Sequence, residues 1–402
     1  MKNISAIIIG LFLSLNSIFS NQEGLSIIPR LFAAIILLLV IIDLKSHSIN
    51  SNYFSKGILI FLFWALIGYA TSGTYGYFTA FMTFVQISLL VWAIISLLKS
   101  KEQIILIFKI FIISAPVLMI INYQEIFEIN SAVINDERVA RMTGTFGNPN
   151  QTSIYSMFIL TTTIFLFSFK YKKLIFKLFL MAAFIAAVII NYYSGSRKGI
   201  IGFFIIIVGI GIILYLFNAK TNLRKIVFFL VPIFFFALAF FIMEKNPHFN
   251  RIETMVNSEE SSSIMREYLI KRSFIVWTSS PRNFVLGVGL EQFPLHNPYK
   301  GVAHATFAEV LVTTGLIGFL IFYSIIFTFY KNFRFVIKYK KYYHGNVLEI
   351  YSIGILLTIY LLFDVTSIVH NNRLVLPILG IFFTYLSLIK KEIIRNRRIV
   401  SN

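Results

Sequence analysis

The chain has 402 residues, of which 57% are hydrophobic, 17% aromatic and only 13% charged. About a quarter of the residues in a soluble domain are charged, so this composition excludes a soluble globular protein and indicates a polytopic membrane protein. The absence of cysteine excludes disulfides, thiolate metal sites and a cysteine nucleophile. The formal net charge of +19 does not indicate nucleic-acid binding, because the basic residues form short clusters between apolar runs.

Apolar runs follow one another along most of the chain, and most have close to the roughly 20 residues that a helix needs to cross a bilayer. The first run could be a signal peptide, but Ile18 is a poor small-residue cleavage position before Asn21, so we interpret the run as the first span. The predicted spans are 1–20, 25–44, 57–72, 76–98, 103–122, 147–169, 174–193, 199–217, 226–243, 304–330, 347–364 and 373–389. The predicted fold class is an all-α polytopic membrane protein with about twelve transmembrane helices.

This series of spans divides the chain into three parts. About nine spans form an N-terminal transmembrane bundle at 1–243, and about three form a C-terminal part at 304–402. Between them lies a large polar loop at 244–303, which contains prolines, basic residues and His296. Within this loop, 266–277 mixes bulky apolar residues with Arg and Lys, which predicts a helix at the membrane interface.

The charges in the short loops predict an orientation. With a cytoplasmic N-terminus, the cytoplasmic side receives most of the loop Lys and Arg residues, including the clusters at 170–177, 331–341 and 390–398. The short segments on the opposite side hold Arg30, Arg138, Arg141, Arg197, Lys198 and Arg373. Because cytoplasmic loops are enriched in positive charge, both termini are predicted to be cytoplasmic and the large loop to face outward.

The basic residues on the outward side are the candidates for function, because orientation alone disfavours them. Arg197 lies in the tight turn SGSRKG at 194–199, where it either reaches phospholipid headgroups or binds the anionic headgroup of a substrate. Arg266 and Arg272 lie about 120° apart on a helix, so one of them is expected to face the protein. Arg141 precedes GTFGNPN in the other sizeable outward loop and is a further candidate for binding a diphosphate.

His304 is the candidate base. The apolar run that begins there puts it in the first turn of a helix, where the helix dipole disfavours the imidazolium and keeps the ring neutral. A lone histidine near an interface could instead be a structural hydrogen-bonding group. Glu309 lies about 140° around the same helix, and its structural interpretation is a carboxylate paired with an outward Arg. Asn148 or Asn150 is expected to cap the next span.

The sequence lacks several signatures of metal and nucleotide chemistry. It has no Asp-x-Asp, no Walker loop, no zinc-binding helix motif and no close pair of carboxylates for glycoside hydrolysis. Any reaction is therefore expected to need neither a metal nor another cofactor.

Five outward stretches occur in a characteristic order: RMTGTFGNPN at 141–150, SGSRKG at 194–199, Arg266 with Pro281, LGVG at 286–289 and HATFAEVLVTTGLIG at 304–318. Together they resemble the O-antigen ligase and polymerase superfamily, bacterial membrane glycosyltransferases that use polyprenyl-diphosphate-linked glycans. The resemblance implies a GT-C-type helical fold with a long periplasmic loop between two late spans. It also implies two functional arginines and one histidine.

By motif, the two arginines fall on Arg197 and Arg266, with Arg272 as the alternative for the second. The histidine, which precedes the glycine Gly315 of the last motif, falls on His304.

The chain departs from the family pattern in two places. The usual His-Asn pair reads His304-Ala305, and an insertion separates Pro281 from LGVG. A His-Asn pair does occur at His296-Asn297, but its spacing to Gly315 does not fit the motif.

These residue types suit glycan transfer from a lipid diphosphate. Two arginines can hold the growing charge of the leaving diphosphate, because guanidinium groups match phosphate oxygens in a bidentate geometry. A neutral histidine can accept the proton of an attacking sugar hydroxyl, and a single attack inverts the anomeric configuration.

The leading hypothesis is a polymerase that joins O-antigen or capsule repeat units on undecaprenyl diphosphate. It is expected to act at the periplasmic face of the bacterial inner membrane. Its expected partners are the lipid-linked glycan, membrane lipid and a chain-length regulator protein, with no nucleic acid. The alternative within the family is a ligase that transfers the finished glycan to lipid A core. A flippase for the lipid-linked sugar is the alternative from another class, and it is disfavoured because only Lys109 lies deep within a predicted span.

Overall fold

The computed structural model describes residues 2–19, 22–45, 52–73, 76–134, 142–218 and 261–401. Within these ranges the regular structure is helical throughout. The helices are α1 (Lys2–Phe19), α2 (Ile27–Lys45), α3 (Tyr53–Ala70), α4 (Phe78–Leu97), α5 (Lys101–Phe111), α6 (Ser114–Ile121), α7 (Tyr123–Ile134), α8 (Pro149–Phe167), α9 (Leu174–Ser194), α10 (Arg197–Asn218), α11 (Ser261–Trp277), α12 (Pro281–Leu286), α13 (Thr306–Lys338), α14 (Val347–Thr366) and α15 (Val375–Ser401). Short 3-10 turns lie at Gly144–Phe146, Phe293–His296 and Lys340–Tyr342.

The predicted apolar runs that fall on described residues coincide with helices, and the run at 103–122 coincides with α5 followed by α6. In the part of the chain that the structure describes, six stretches are long and apolar enough to cross a membrane: Tyr53–Ala70, Phe78–Leu97, Lys101–Ile121, Leu174–Ser194, Thr306–Lys338 and Val347–Thr366. The predicted span at 226–243 and the first part of the polar loop lie outside the described residues. An all-helical, multi-span fold is confirmed, whereas the number of twelve spans and the GT-C type stay predictions.

Several connecting segments meet at one end of the helix bundle, which we call the loop end. It comprises 142–148, 194–199, the described part of the polar loop at 261–305, and 367–374, and the start of α2 with Arg30 adjoins it. Hydrogen bonds join these segments to each other and to the helix starts: Met142 N donates to Tyr193 O at 2.9 Å, Asn371 Nδ2 to Glu291 Oε1 at 2.8 Å, and Asn372 Nδ2 to Gln151 Oε1 at 2.7 Å. The loop end is therefore one connected polar layer rather than a set of separate turns.

The opposite end of the bundle, which we call the basic end, comprises 98–101, 338–346 and 390–398. Lys99 Nζ lies 2.6 Å from Asp43 Oδ2, and Lys101 Nζ lies 2.7 Å from Glu392 Oε2. Among the described residues, the basic clusters at 99–101, 338–341 and 390–398, which the sequence assigns to the cytoplasm, thus share one end of the molecule.

Aromatic packing fills the bundle between the two ends. The ring of Phe382 in α15 stacks on Phe108 in α5 with centroids 4.4 Å apart. Phe165 in α8 meets Phe382 and Tyr385 edge to face, at 5.2 Å and 4.9 Å. All of these side chains are buried. Because lipid is itself apolar, close packing of this kind, rather than escape from water, holds membrane helices together.

Helix α13 is broken at Gly315, which has φ 67° and ψ −175°. A break removes the helical partners of the carbonyls just before it, and unpaired carbonyls are costly in a membrane protein. Other segments supply the missing donors: Val288 N to Val312 O at 2.9 Å, Gly289 N to Thr313 O at 3.0 Å, and Trp64 Nε1 to Thr314 O at 2.9 Å. The loop at 286–289 therefore completes the hydrogen bonding of α13.

This contact requires glycine on both sides. A Cβ on Gly287, which has φ 74°, would lie 2.4 Å from the backbone carbonyl of Thr313. A Cβ on Gly315 would lie 2.2 Å from Val285 O. The LGVG and TTG sequences, which are separate motifs in the chain, are two halves of one backbone contact.

The polar loop has a small apolar core of its own against the start of α13. Leu269 and Val276 of α11 pack there with Phe293, Ala303 and Ala305. The helix predicted at 266–277 is confirmed, and it begins earlier than predicted, at Ser261. Because Ala303 and Ala305 belong to this core, the core fixes the backbone on both sides of residue 304.

Candidate active site

His304 lies between two fully buried residues, Ala303 and Ala305, while its own side chain is exposed. Its backbone is left-handed, with φ 58°. This conformation costs about 1–3 kcal/mol for a residue with a side chain, and such strain is concentrated at functional sites. The α13 helix begins at Thr306, so His304 precedes the helix instead of lying in its first turn as predicted.

The imidazole of His304 has a lowered pKa. The largest cause is partial burial by the surrounding protein, followed by the positive charges of Arg266 and then Lys198. The neutral ring that the sequence analysis expected is thus favoured, but by neighbouring cations and desolvation rather than by a helix dipole. Arg266 on α11 and Lys198 on α10 are consequently close enough to His304 to form one cationic cluster, which we call the His304 cluster.

The SGSRKG turn presents its two cations differently. Arg197 is the half-buried first residue of α10. The Lys198 ammonium donates to the Thr366 carbonyl and, at 2.7 Å, to Ser367 Oγ. Lys198 therefore anchors the loop after α14 to the start of α10 while adding positive charge beside His304.

Close packing behind the turn fixes its position. Asn191 Nδ2 donates to Gly199 O at 3.1 Å, and Ser153 Oγ donates to Asn191 Oδ1 at 2.9 Å. A Cβ on Gly199 would lie 2.0 Å from Ser153 Oγ, so the glycine lets α10 approach α8 and α9 closely. Ser196 Oγ also donates to Asn150 Oδ1 at 3.1 Å, which joins the turn to the start of α8.

Arg266 and Arg272 have separate environments, as their angular separation on α11 predicts. The positive charge of Arg266 lowers the pKa of His304. The Nε and NH2 groups of Arg272 instead donate to the carbonyl oxygen of His296, both at 3.4 Å. His296 has a lowered pKa, caused first by burial, then by Arg282 and then by Arg272. The geometry therefore groups Arg266, and not Arg272, with the candidate base.

The RMTGTFGNPN stretch is described from Met142 onward, so the candidate Arg141 lies outside the described residues. Asn148 is the N-cap of α8 and accepts from Asn150 N at 2.9 Å, which confirms its predicted capping role. Glu125 of α7 accepts hydrogen bonds from this stretch: from Thr143 N at 2.6 Å, Thr143 Oγ1 at 2.9 Å and Gly144 N at 3.1 Å.

Glu309 is only 2% exposed, and its Oε2 accepts from Ala303 N at 2.7 Å. Its partner is thus a backbone amide, which corrects the expected pairing with an outward Arg. The carboxylate fixes the turn that carries His304.

Ala305 occupies the N-cap of α13 without a side-chain hydrogen bond. An Asn at this position could cap the helix, whereas Ala cannot. Thr306 takes over part of this anchoring: its Oγ1 donates to Ser367 O at 2.7 Å and accepts from Val369 N at 2.9 Å. The insertion after Pro281 is the short helix α12, and LGVG begins at its last residue.

Fold and site together define a multi-pass helical membrane protein whose loop end gathers Arg266, Lys198 and a histidine of lowered pKa. The family model described as O-antigen ligase matches residues 181–323, a range that contains Arg197, Arg266 and His304. This match confirms the predicted resemblance to the O-antigen ligase and polymerase superfamily. No curated protein matches the chain.

Two contributors to this site are not indicated by the sequence motifs. Lys198 is one of the outward basic residues, but the motif selects Arg197, and the sequence gives no sign that Lys198 would reach His304. The loop 367–372 carries no motif, although Ser367 contacts both Lys198 and Thr306. Its high content of Ser, Asn and His between two apolar helices is the signal that could have indicated it.

Proposed function

We propose that the protein is a polysaccharide polymerase. It transfers a glycan from undecaprenyl diphosphate to a sugar hydroxyl of a second lipid-linked acceptor, with inversion and without a metal. The observation that carries the proposal is the His304 cluster, in which a histidine favoured in its neutral form lies beside Arg266 and Lys198 within the family-matched segment. A capsule or O-antigen repeat unit is the expected glycan.

In the proposed reaction, the acceptor oxygen attacks the anomeric carbon while the bond from that carbon to the diphosphate oxygen breaks. A ring nitrogen of His304 takes the hydroxyl proton. The leaving diphosphate needs no general acid, but its growing negative charge must be held. Arg197 and Arg266 hold it by charge-assisted hydrogen bonds, and Lys198 adds to the positive potential.

Polymerase is preferred over ligase because Ala305 replaces the Asn of the usual His-Asn pair. The flippase alternative has one candidate residue deep within a predicted span, Lys109. The ammonium of Lys109 lies 4.9 Å from the ring centroid of Tyr171 and 5.1 Å from that of Phe176, in and just after the connection from α8 to α9. These aromatic neighbours favour a packing role for Lys109 over a place in a transport path.

Glycan analysis of a deletion strain tests the proposed function. Loss of a polymerase leaves single-repeat chains on the lipopolysaccharide or capsule. Unmodified core with accumulated lipid-linked polymer would identify a ligase, and cytoplasmic accumulation of single lipid-linked units would identify a flippase. Complementation with wild type and with His304→Ala separates loss of chemistry from polar effects of the deletion.

The proposed location of the site also has a direct test. Reporter fusions at Ser261 and Lys340 should lie on opposite sides of the membrane, with Ser261 outside, because α13 separates the loop end from the basic end. If both fusions report the cytoplasm, a periplasmic site is ruled out.

A further inference from the structure

A groove between α1, α2 and α4 is not used by the proposed reaction. Its volume is about 320 Å³, which is within the range of ordinary small-molecule sites. Phe12, Ala33, Leu37 and Leu90 line its apolar part. Ala34 and its neighbour Ile35 are exposed on the same helix. Such a surface suits a hydrocarbon chain.

Two arginines lie in the wall of this groove. Arg30 is on α2, and Arg373 lies in the loop just before α15. The pKa of Arg373 is lowered, first by burial and then by the positive charge of Arg30, so the two guanidinium groups are close together. Among the described residues, neither forms an ion pair with a carboxylate. Two neighbouring guanidinium groups without a counterion form a site for a multiply charged anion.

The groove and the His304 cluster are neighbours in the loop end. Asn372, which precedes Arg373, donates to Gln151 at the start of α8. The adjacent Asn150 accepts from Ser196, which precedes Arg197. These two hydrogen bonds hold the residues that precede Arg373 and Arg197 at the start of the same helix, α8.

We propose that this groove is the acceptor site, where Arg30 and Arg373 bind the diphosphate of the second lipid-linked glycan and the apolar wall holds the start of its polyprenyl chain. This inference rests on the proposed polymerase function and extends it, since a polymerase must hold two lipid diphosphates at once. A ligase does not require a second polyprenyl diphosphate site.

Binding stoichiometry tests the groove without requiring glycan transfer. The purified protein in nanodiscs of phosphatidylcholine is titrated with geranylgeranyl diphosphate. Wild type should bind two molecules, and Arg30→Gln/Arg373→Gln should bind one. Arg266→Gln should also bind one, because it weakens the donor site alone. Lys300→Gln, which removes an exposed cation from the same end of the molecule, should still bind two.

A second variant guards against misfolding of the arginine double mutant. Ala34→Trp fills the groove from an exposed position, so it should also reduce the stoichiometry to one while leaving thermal stability unchanged. Either a single binding site in wild type or two sites in both groove variants would overturn the proposal. Displacement of the second molecule by an equal mole fraction of phosphatidylglycerol would also overturn it, because the groove would then be a site for bulk phospholipid.

Transfer kinetics separate this proposal from the proposed function. In Arg30→Gln/Arg373→Gln, the KM for the lipid-linked acceptor should rise at least tenfold, while transfer to the same glycan without its lipid should be unchanged. An equal loss with both acceptors would show that the arginines support the fold or the chemistry instead. Absence of transfer by wild type would refute the polymerase function while leaving the stoichiometry result to decide whether the groove binds diphosphate.

Discussion

Both ends of the bundle carry clusters of lysine and arginine, but the cations have different neighbours. At the basic end, Lys99 and Lys101 pair with the carboxylates of Asp43 and Glu392. The Arg397 guanidinium lies 4.8 Å from the ring centroid of Tyr339. At the loop end, Arg266 and Lys198 both act on His304, and Arg373 lies beside Arg30.

This difference separates two uses of positive charge in a membrane protein. A cation with a carboxylate or aromatic neighbour is already satisfied, and it serves orientation and packing. Cations placed next to one another repel, so an anion that binds between them relieves this repulsion. The loop end therefore indicates ligand binding even though it carries fewer basic residues than the basic end.

The largest effect on transfer is expected when a cation of the loop end is removed and the result is compared with removal of a cation of the basic end. Arg266→Ala should reduce glycan transfer by about a thousandfold, since it removes charge that stabilises the leaving diphosphate. Arg266→Lys should restore little, because an ammonium replaces a bidentate guanidinium. Transfer is measured with purified enzyme and lipid-linked substrate.

Lys101→Ala at the basic end is the matched control and should change transfer less than twofold, because the Lys101–Glu392 ion pair lies at the opposite end of the bundle from the His304 cluster. Full activity in Arg266→Ala together with loss in Arg272→Ala would move the second functional arginine to Arg272.

His304→Ala should lower kcat about a hundredfold or more, as expected for loss of a general base. Binding of geranylgeranyl diphosphate should be unchanged, because the arginines hold the diphosphate. The control is His344→Ala, an exposed histidine at the basic end, which should have wild-type kcat. Retained turnover in His304→Ala, or loss of donor binding instead of turnover, would make His304 a structural residue.

A moderate effect on stability is expected at His370, which is 1% exposed and lies in the loop after α14. Neither ring nitrogen has a hydrogen-bond partner among the described residues, and burial lowers its pKa from 6.5 to about 4. The unfolded chain therefore takes up a proton at a higher pH than the folded protein. Between pH 7 and pH 5 this difference should lower the free energy of unfolding by about 2 kcal/mol.

His370→Phe should remove this part of the acid sensitivity while keeping the contacts to the rings of Phe84 and Phe322. The comparison is made by thermal unfolding of both proteins in detergent at the two pH values. An equal loss of stability on acidification in both proteins would show that His370 is not the group responsible. Glu349, which lies just after the basic end in α14, provides the contrast. It is also buried, but it accepts hydrogen bonds from Tyr343 at 2.6 Å and from Tyr385 at 2.5 Å.

The smallest effect concerns the pH profile. Transfer requires neutral His304, so kcat/KM should fall as the pH drops through its lowered pKa. Lys198→Met removes one of the cations that lower this pKa. The acid limb of the profile should therefore move to higher pH. Lys300→Met should leave it in place, and a shift of equal size in that control would indicate a general effect of net charge.

Hydropathy was sufficient to predict the long apolar helices of the described ranges, because a membrane span must be apolar over its whole length, but it did not predict α7 or α12. The Lys and Arg residues of the short loops also predicted that the two ends of the bundle would differ in charge. The motifs located His304 and Arg266, but the cause of the lowered histidine pKa was wrong. The start of α13 depends on Ala305 and Thr306 and on their contacts with residues after α14, which local sequence does not reveal.

Other features depend on residues that are distant in the sequence. Arg30 and Arg373 come from opposite ends of the chain, and each alone is typical of a residue that contacts phospholipid headgroups. The pairing of 286–289 with the break at Gly315 is made through backbone groups, for which side-chain patterns carry little information. The proximity of Lys198 to His304 depends on the loop after α14, where Ser367 contacts both Lys198 and Thr306.

The break at Gly315 has a consequence for the order of assembly during synthesis. If α13 enters the membrane before the loop has folded, the carbonyls of Val312, Thr313 and Thr314 lack donors, at a cost of several kcal/mol for each group left unsatisfied in the bilayer. The donors come from Trp64, made early, and from Val288 and Gly289, made just before α13. Completion of this span is therefore coupled to closure of the loop that carries His304.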